Sequence, residues 1–149
     1  MKRILITPLL ILISLLNMGF WGKPKLEALI CSDEEYLKEL TFEEKWEDNY
    51  PWIYDSKTGK LYDYDPFLNE INVLETWRYE NDVFTYKSKL EKNTLKIIET
   101  EINNKYADNR YLIDIKANTS VSYNLENPEN KFRTICESLD FPNGVKINY

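Results

Sequence analysis

Histidine is missing from this chain altogether, and cysteine (two residues), glycine (four) and proline (six) are sparse among its 149 residues. Without histidine there is no Ser/His/Asp or Cys/His triad, no imidazole base and no ordinary zinc site. Four scattered glycines leave no phosphate-cradling loop and no dinucleotide fingerprint. Two cysteines without a CxxC spacing give no metal or dithiol redox motif. These shortages together predict neither a cofactor nor a metal site. Positive charge is short as well, with 19 Lys and Arg against 25 Asp and Glu. Lys2 and Arg3 are the only charges in the first 22 residues, so the remainder holds 17 bases against 25 acids. Such a surface repels phosphate backbones. It excludes nucleic acid as a partner and limits membrane contact to the N-terminal segment.

Aromatic residues are abundant, at 14% with eleven Tyr and four Trp. That richness favours strands and a folded core over disorder. The N-terminus reads differently: Lys2-Arg3 and then ILITPLLILISLLNMGFWG form a basic and an apolar region, the pattern of an export signal. Residues 1–22 are therefore expected to be a cleaved signal peptide or an uncleaved anchor, the apolar run being just long enough to span a bilayer. The best cleavage candidate is Leu26-Glu27-Ala28. Residues 23–149 should form one domain outside the cytoplasm, periplasmic, extracellular or tethered by the N-terminal segment. In such a compartment an even cysteine count predicts a Cys31–Cys136 disulfide.

The clearest local signal is a hairpin over Ile71–Leu90, INVLETWRYENDVFTYKSKL. With Asn81-Asp82 as its turn, Tyr79 pairs with Phe84, Trp77 with Tyr86, Glu75 with Ser88 and Val73 with Leu90. All then share one face, opposite Arg78, Thr85, Lys87 and Lys89. A second hairpin over Trp52–Tyr64, turning at Lys57-Thr58-Gly59, would set Trp52 against Tyr64 and Tyr54 against Tyr62. Four aromatics would then share a face. Lys92-Asn93 makes a third turn that opposes Leu90 to Leu95 and Ser88 to Ile97. Further strands are expected around Tyr111–Ile115, Val121–Leu125 and Phe132–Glu137, with an edge strand near Val145–Tyr149 and turns at Asn103–Asn109 and Asn127–Asn130. Ser32-Asp33-Glu34-Glu35 reads as a capping box opening a short acidic helix to Glu47, with a break near Thr41.

Short strands joined by tight turns predict an all-β, mainly antiparallel domain. It is an up-and-down meander of about eight strands closing into a small barrel or curled sheet, with one short N-terminal helix. The leading functional expectation is an exported, non-enzymatic binding module for a small apolar or sugar-like ligand. Trp77, Tyr79, Phe84 and Tyr86 would be its walls and Glu75 its polar contact, around a cavity of several hundred Å³. The alternatives are a structural or interaction protein of the cell envelope using the Trp52/Tyr54/Tyr62/Tyr64 patch, and a carboxylate-dependent hydrolase built on Glu75 and Glu99. Asp55, Asp63 and Asp65 read as a solvated acidic edge rather than a calcium site.

Overall fold

The computed structural model describes residues 22–102 and 108–149. The signal or anchor segment, apart from Gly22, and most of the Asn103–Asn109 loop lie outside these residues.

The chain folds as one mainly antiparallel sheet with two short helices, and the sheet curls without closing into a barrel. The described residues form strands β1 (Leu26–Ser32), β2 (Trp52–Asp55), β3 (Leu61–Asp65), β4 (Glu70–Val73), β5 (Thr76–Tyr79), β6 (Asp82–Glu91), β7 (Thr94–Glu101), β8 (Asp108–Asp114), β9 (Thr119–Asn124), β10 (Asn127–Leu139) and β11 (Lys146–Ile147). Their order in space is β11-β4-β3-β2-β1-β10-β9-β8-β7-β6-β5. Neighbours in sequence are neighbours in the sheet except at two places. β10 and β11 do not pair, β1 lying beside β10 and β11 beside β4, and β4 and β5, though separated by only Leu74 and Glu75, do not pair with each other.

That exception has a geometric cause. Nine antiparallel ladders separate β4 from β5 around the sheet, so the sheet curls far enough to bring its two ends within reach of the two-residue joint Leu74-Glu75. Hydrogen bonds mark the join: Leu74 N donates to Leu61 O at 3.0 Å, and Tyr86 N donates to Glu75 O at 3.0 Å.

The expected single strand over Ile71–Tyr79 is therefore two. Its hairpin also turns one residue earlier than anticipated. Glu80-Asn81 is the two-residue loop, with Glu80 at φ 52°, and Trp77 faces Phe84 while Tyr79 faces Asp82. The slip is by two residues in pairing, so the faces are kept and the partners change.

The second hairpin departs further. Its ladder opposes Ile53 to Tyr62 and Tyr54 to Leu61, an odd shift from the expected pairing. Asp55 takes over the turn: its carboxylate accepts from Lys57 N and from Thr58 Oγ1, and its carbonyl accepts from Gly59 N at 2.7 Å. The loop thereby gains a residue, and a one-residue slip sends alternate side chains to opposite faces. Trp52 and Tyr54 lie on one face and Tyr62 and Tyr64 on the other, so the four-aromatic patch does not form.

The third turn matches expectation, with Leu90 opposite Leu95 and Ser88 opposite Ile97. Leu125-Glu126 is the turn into β10, so Asn127–Asn130 is strand rather than turn; the irregular ladder between Asn127 and Phe132 absorbs Pro128. The expected edge strand is the two-residue β11, parallel to β4.

Between β1 and β2 the acidic stretch divides into α1 (Glu34–Glu39) and α2 (Phe42–Glu47). Asp33, not Ser32, caps α1, and the capping box belongs to Thr41 and Glu44 of α2. β1 itself, unanticipated at sequence level, runs through the middle of the sheet with Ala28, Leu29 and Ile30 buried. Cleavage after Ala28 would remove half of that strand, so this candidate site conflicts with the fold.

Cys31 stands directly opposite Cys136 in the β1–β10 ladder, with Cα atoms 4.1 Å apart and a disulfide between them. A disulfide is a feature of chains that fold outside the reducing cytoplasm.

Two apolar clusters flank the sheet. The inner one holds Leu29, Tyr54, Leu61, Leu95, Ile97, Ile113 and Cys136. The outer one packs Ala28, Ile53, Tyr62 and Ile71 against Trp46 of α2 and the C-terminal Phe141, Val145 and Ile147.

Candidate functional site

At one margin of the inner cluster the packing is incomplete. Trp52, Tyr86 and Tyr111 lean on the cluster from β2, β6 and β8, and beside them a half-open cleft of about 210 Å³ remains. Leu74, from the joint between β4 and β5, lines it as well, with Tyr50, Pro51, Tyr62, Trp77, Asp63 and Glu99.

The rings interlock. Trp52 lies 5.0 Å from Tyr111 and 6.4 Å from Tyr86 between ring centres. In a second ring group Trp77 stacks on Tyr79 at 5.7 Å, packs near Phe84 at 5.5 Å and meets Tyr50 edge-on at 6.3 Å. Tyr50 reaches this position from a left-handed backbone, at φ 46°. That conformation is costly for a bulky residue and is held by the surrounding structure.

Glu99 sits between two neutral ladder partners, Tyr86 on one side and Asn109 on the other. Its Oε1 accepts from Asn109 Nδ2 at 2.9 Å and from the Tyr111 hydroxyl at 3.3 Å. Burial, followed by the Glu99 charge, pushes both phenols well above their ordinary range. Asp63 accepts from Tyr64 N at 2.9 Å. Burial lifts the Asp63 carboxyl above its usual range, opposed by that backbone bond and reinforced by Asp65. Among the described residues no Lys or Arg lines the cleft or pairs with either carboxylate.

The expected site residues distribute unevenly. Trp77 and Tyr86 line the cleft; Tyr79 and Phe84 support Trp77 from behind, and Tyr79 is largely exposed. Glu75 lies in the kink, exposed and off the cleft, because the β4–β5 break removes it from the aromatic face. The acids at the site are Glu99 and Asp63. Asp55 is turned into its own loop, away from Asp63. The cavity is smaller and more open than expected.

No family model, curated protein or solved structure matches the chain. The cleft must be read from its own chemistry.

Tyr111 was not among the expected site residues, and Trp52 was expected only in the interaction patch with Tyr54, Tyr62 and Tyr64, not beside Trp77 and Tyr86. Tyr111 could have been found from sequence, since carrying the β6–β7 register across to the strand at Tyr111–Ile115 sets it beside Ile97, two residues from Glu99. Trp52 could not, because it arrives from the far side of the curl.

Proposed function

We propose that the domain is a non-catalytic binding module that captures a small ligand in the cleft by laying an apolar face of it against Trp52, Trp77 and Tyr86. One observation carries this reading: large, well-packed rings are held around space that they do not fill. Protein interiors normally close such gaps, and concave sites of aromatic walls with a few convergent polar groups are the usual form of ligand pockets.

Export is part of the same proposal. A disulfide-stapled domain behind an apolar N-terminal segment suits a protein that meets its ligand outside the cytoplasm.

Catalysis is the weaker reading. Glu99 is tied down by two neutral donors, and Glu75 is off the cleft. Neither is placed as a mobile acid or base.

The test is a titration of tryptophan emission in the exported protein with a panel of neutral sugars and small organic ions. A saturable change is expected, and Trp77→Ala should weaken the binding about tenfold, in line with loss of one stacked ring. An emission signal indifferent to every member of the panel, with Trp77→Ala folded and equally silent, would set the proposal aside.

A further inference from the structure

Resting on the cleft reading above, we infer that the ligand is an organic cation, an amine or quaternary ammonium group, bound between the aromatic walls and the carboxylates Glu99 and Asp63. Three features of the cleft converge on this chemistry.

The first is uncompensated charge. Two acids line the cleft, and no described basic side chain faces either of them. A partly buried carboxylate without a counter-ion is unfavourable, and a cationic ligand supplies the missing charge. The molecule's net charge of −6 adds a field that draws cations inward.

Hydrogen bonding at Glu99 is the second. Glu99 Oε1 accepts from Asn109 Nδ2 and from the Tyr111 hydroxyl, both neutral donors. They orient the carboxylate and leave its negative charge uncompensated. A quaternary ammonium needs no hydrogen bond at all, only the charge.

The walls are the third. Indole and phenol faces attract cations through their quadrupoles, tryptophan most strongly, and the attraction grows as water is displaced. Trp52 and Trp77 both line the cleft, one braced by Tyr111 and the other by Tyr79 and Phe84. A compact cation lodged there would meet ring faces together with the negative end of the site.

The experiment compares choline with 3,3-dimethylbutan-1-ol, its uncharged carbon isostere of nearly the same shape. Tryptophan emission and calorimetry on the full exported chain follow the two titrations. Choline should bind at least tenfold more tightly than the isostere, the scale of a desolvated cation–π contact plus a charge partner. Added sodium chloride should weaken choline and leave the alcohol unchanged. Glu99→Gln, which keeps shape and most hydrogen bonds, should cost choline about tenfold and the alcohol little. If that variant fails to fold, the salt comparison on the unaltered chain still decides.

Equal binding of the two compounds, insensitive to salt, would overturn the cation inference and leave the binding module intact. Binding of methyl glucoside or N-acetylglucosamine in preference to choline would do the same. Silence towards all four compounds would count against both the inference and the cleft reading on which it rests.

Discussion

At the scale of single residues, Asp63 shows how the cleft is maintained at a cost. Burial raises its pKa in the folded state above the ordinary 3.8. For a carboxyl shifted this way, the folded state is relatively favoured below the unfolded pKa, and that advantage is lost as pH rises through the folded value. Asp63→Asn should therefore raise the melting temperature at neutral pH, with the gap closing as pH falls below about 4. Melting curves across pH 3–8 check this, and a gap that widens on acidification would refute it. Glu91 behaves oppositely. Lys89 and Lys96 both bond it and hold its pKa at about 2. Its contribution is present above the ordinary carboxylate range and fades as pH falls towards 2. Little of this was legible in advance. The Lys92-Asn93 turn that opposes Ser88 to Ile97 also opposes Tyr86 to Glu99, because a tight turn sets register locally. Glu75 was misplaced, because nothing in INVLETWRY announces that the strand must change neighbours after Val73.

At the scale of elements, turn chemistry decided what could be read. Lys92 takes a positive φ of 56° in the turn that was anticipated. The Asp55–Lys60 loop was misread by one residue, since the Asp55 side chain builds its own turn and Gly59 follows at φ 78°. That single residue moved Tyr62 and Tyr64 to the other face. Gly59 is also a point of close approach: a Cβ there would lie 2.4 Å from Leu90 N, where the loop docks on β6. Ser88 Oγ donates to Gly59 O at 2.7 Å, and Leu90 N to Thr58 O at 3.3 Å. Gly59→Ala should destabilise the fold by more than about 2 kcal/mol, combining backbone strain with displacement of the loop. Urea unfolding measures it, and a loss below about 0.5 kcal/mol would show that the loop shifts freely. Thr41→Ala tests the smaller device at α2. Thr41 accepts from Glu44 N, and Glu44 reaches back to Thr41 N at 2.7 Å. About 1 kcal/mol should be lost.

At the scale of the whole molecule, the general architecture was readable and the route around it was not. Alternation and turn spacing predicted an antiparallel meander, and the chain is one. The central strand β1 was missed because LEALICS lacks the alternation of a half-buried strand, Ala28, Leu29 and Ile30 all being buried in succession. The fold also depends on joining β1 to β10 across almost the full sequence. The Cys31–Cys136 bridge fixes that join, with a separation of 105 residues. In the chain-entropy model a loop of that length is worth roughly 4–5 kcal/mol. Reduction should lower the urea midpoint accordingly, and an unchanged midpoint after complete reduction would show that the β1–β10 ladder closes without help.

A sheet that curls without closing keeps two rims, and each rim is a template for a foreign strand. The rim at β5 is blunt by construction, being only four residues long and carrying Arg78 beside the largely exposed Tyr79. The rim at β4 is shielded by a slighter device. The two residues of β11 lie parallel to it, pinned where Lys146 Nζ meets Glu70 Oε1 at 2.7 Å and Asn148 Nδ2 meets Glu70 Oε2 at 2.9 Å. β11 therefore covers the edge of β4 at Glu70 and Ile71. A variant that lost the contacts of Lys146 and Asn148 to Glu70 would offer that edge to a strand from another molecule.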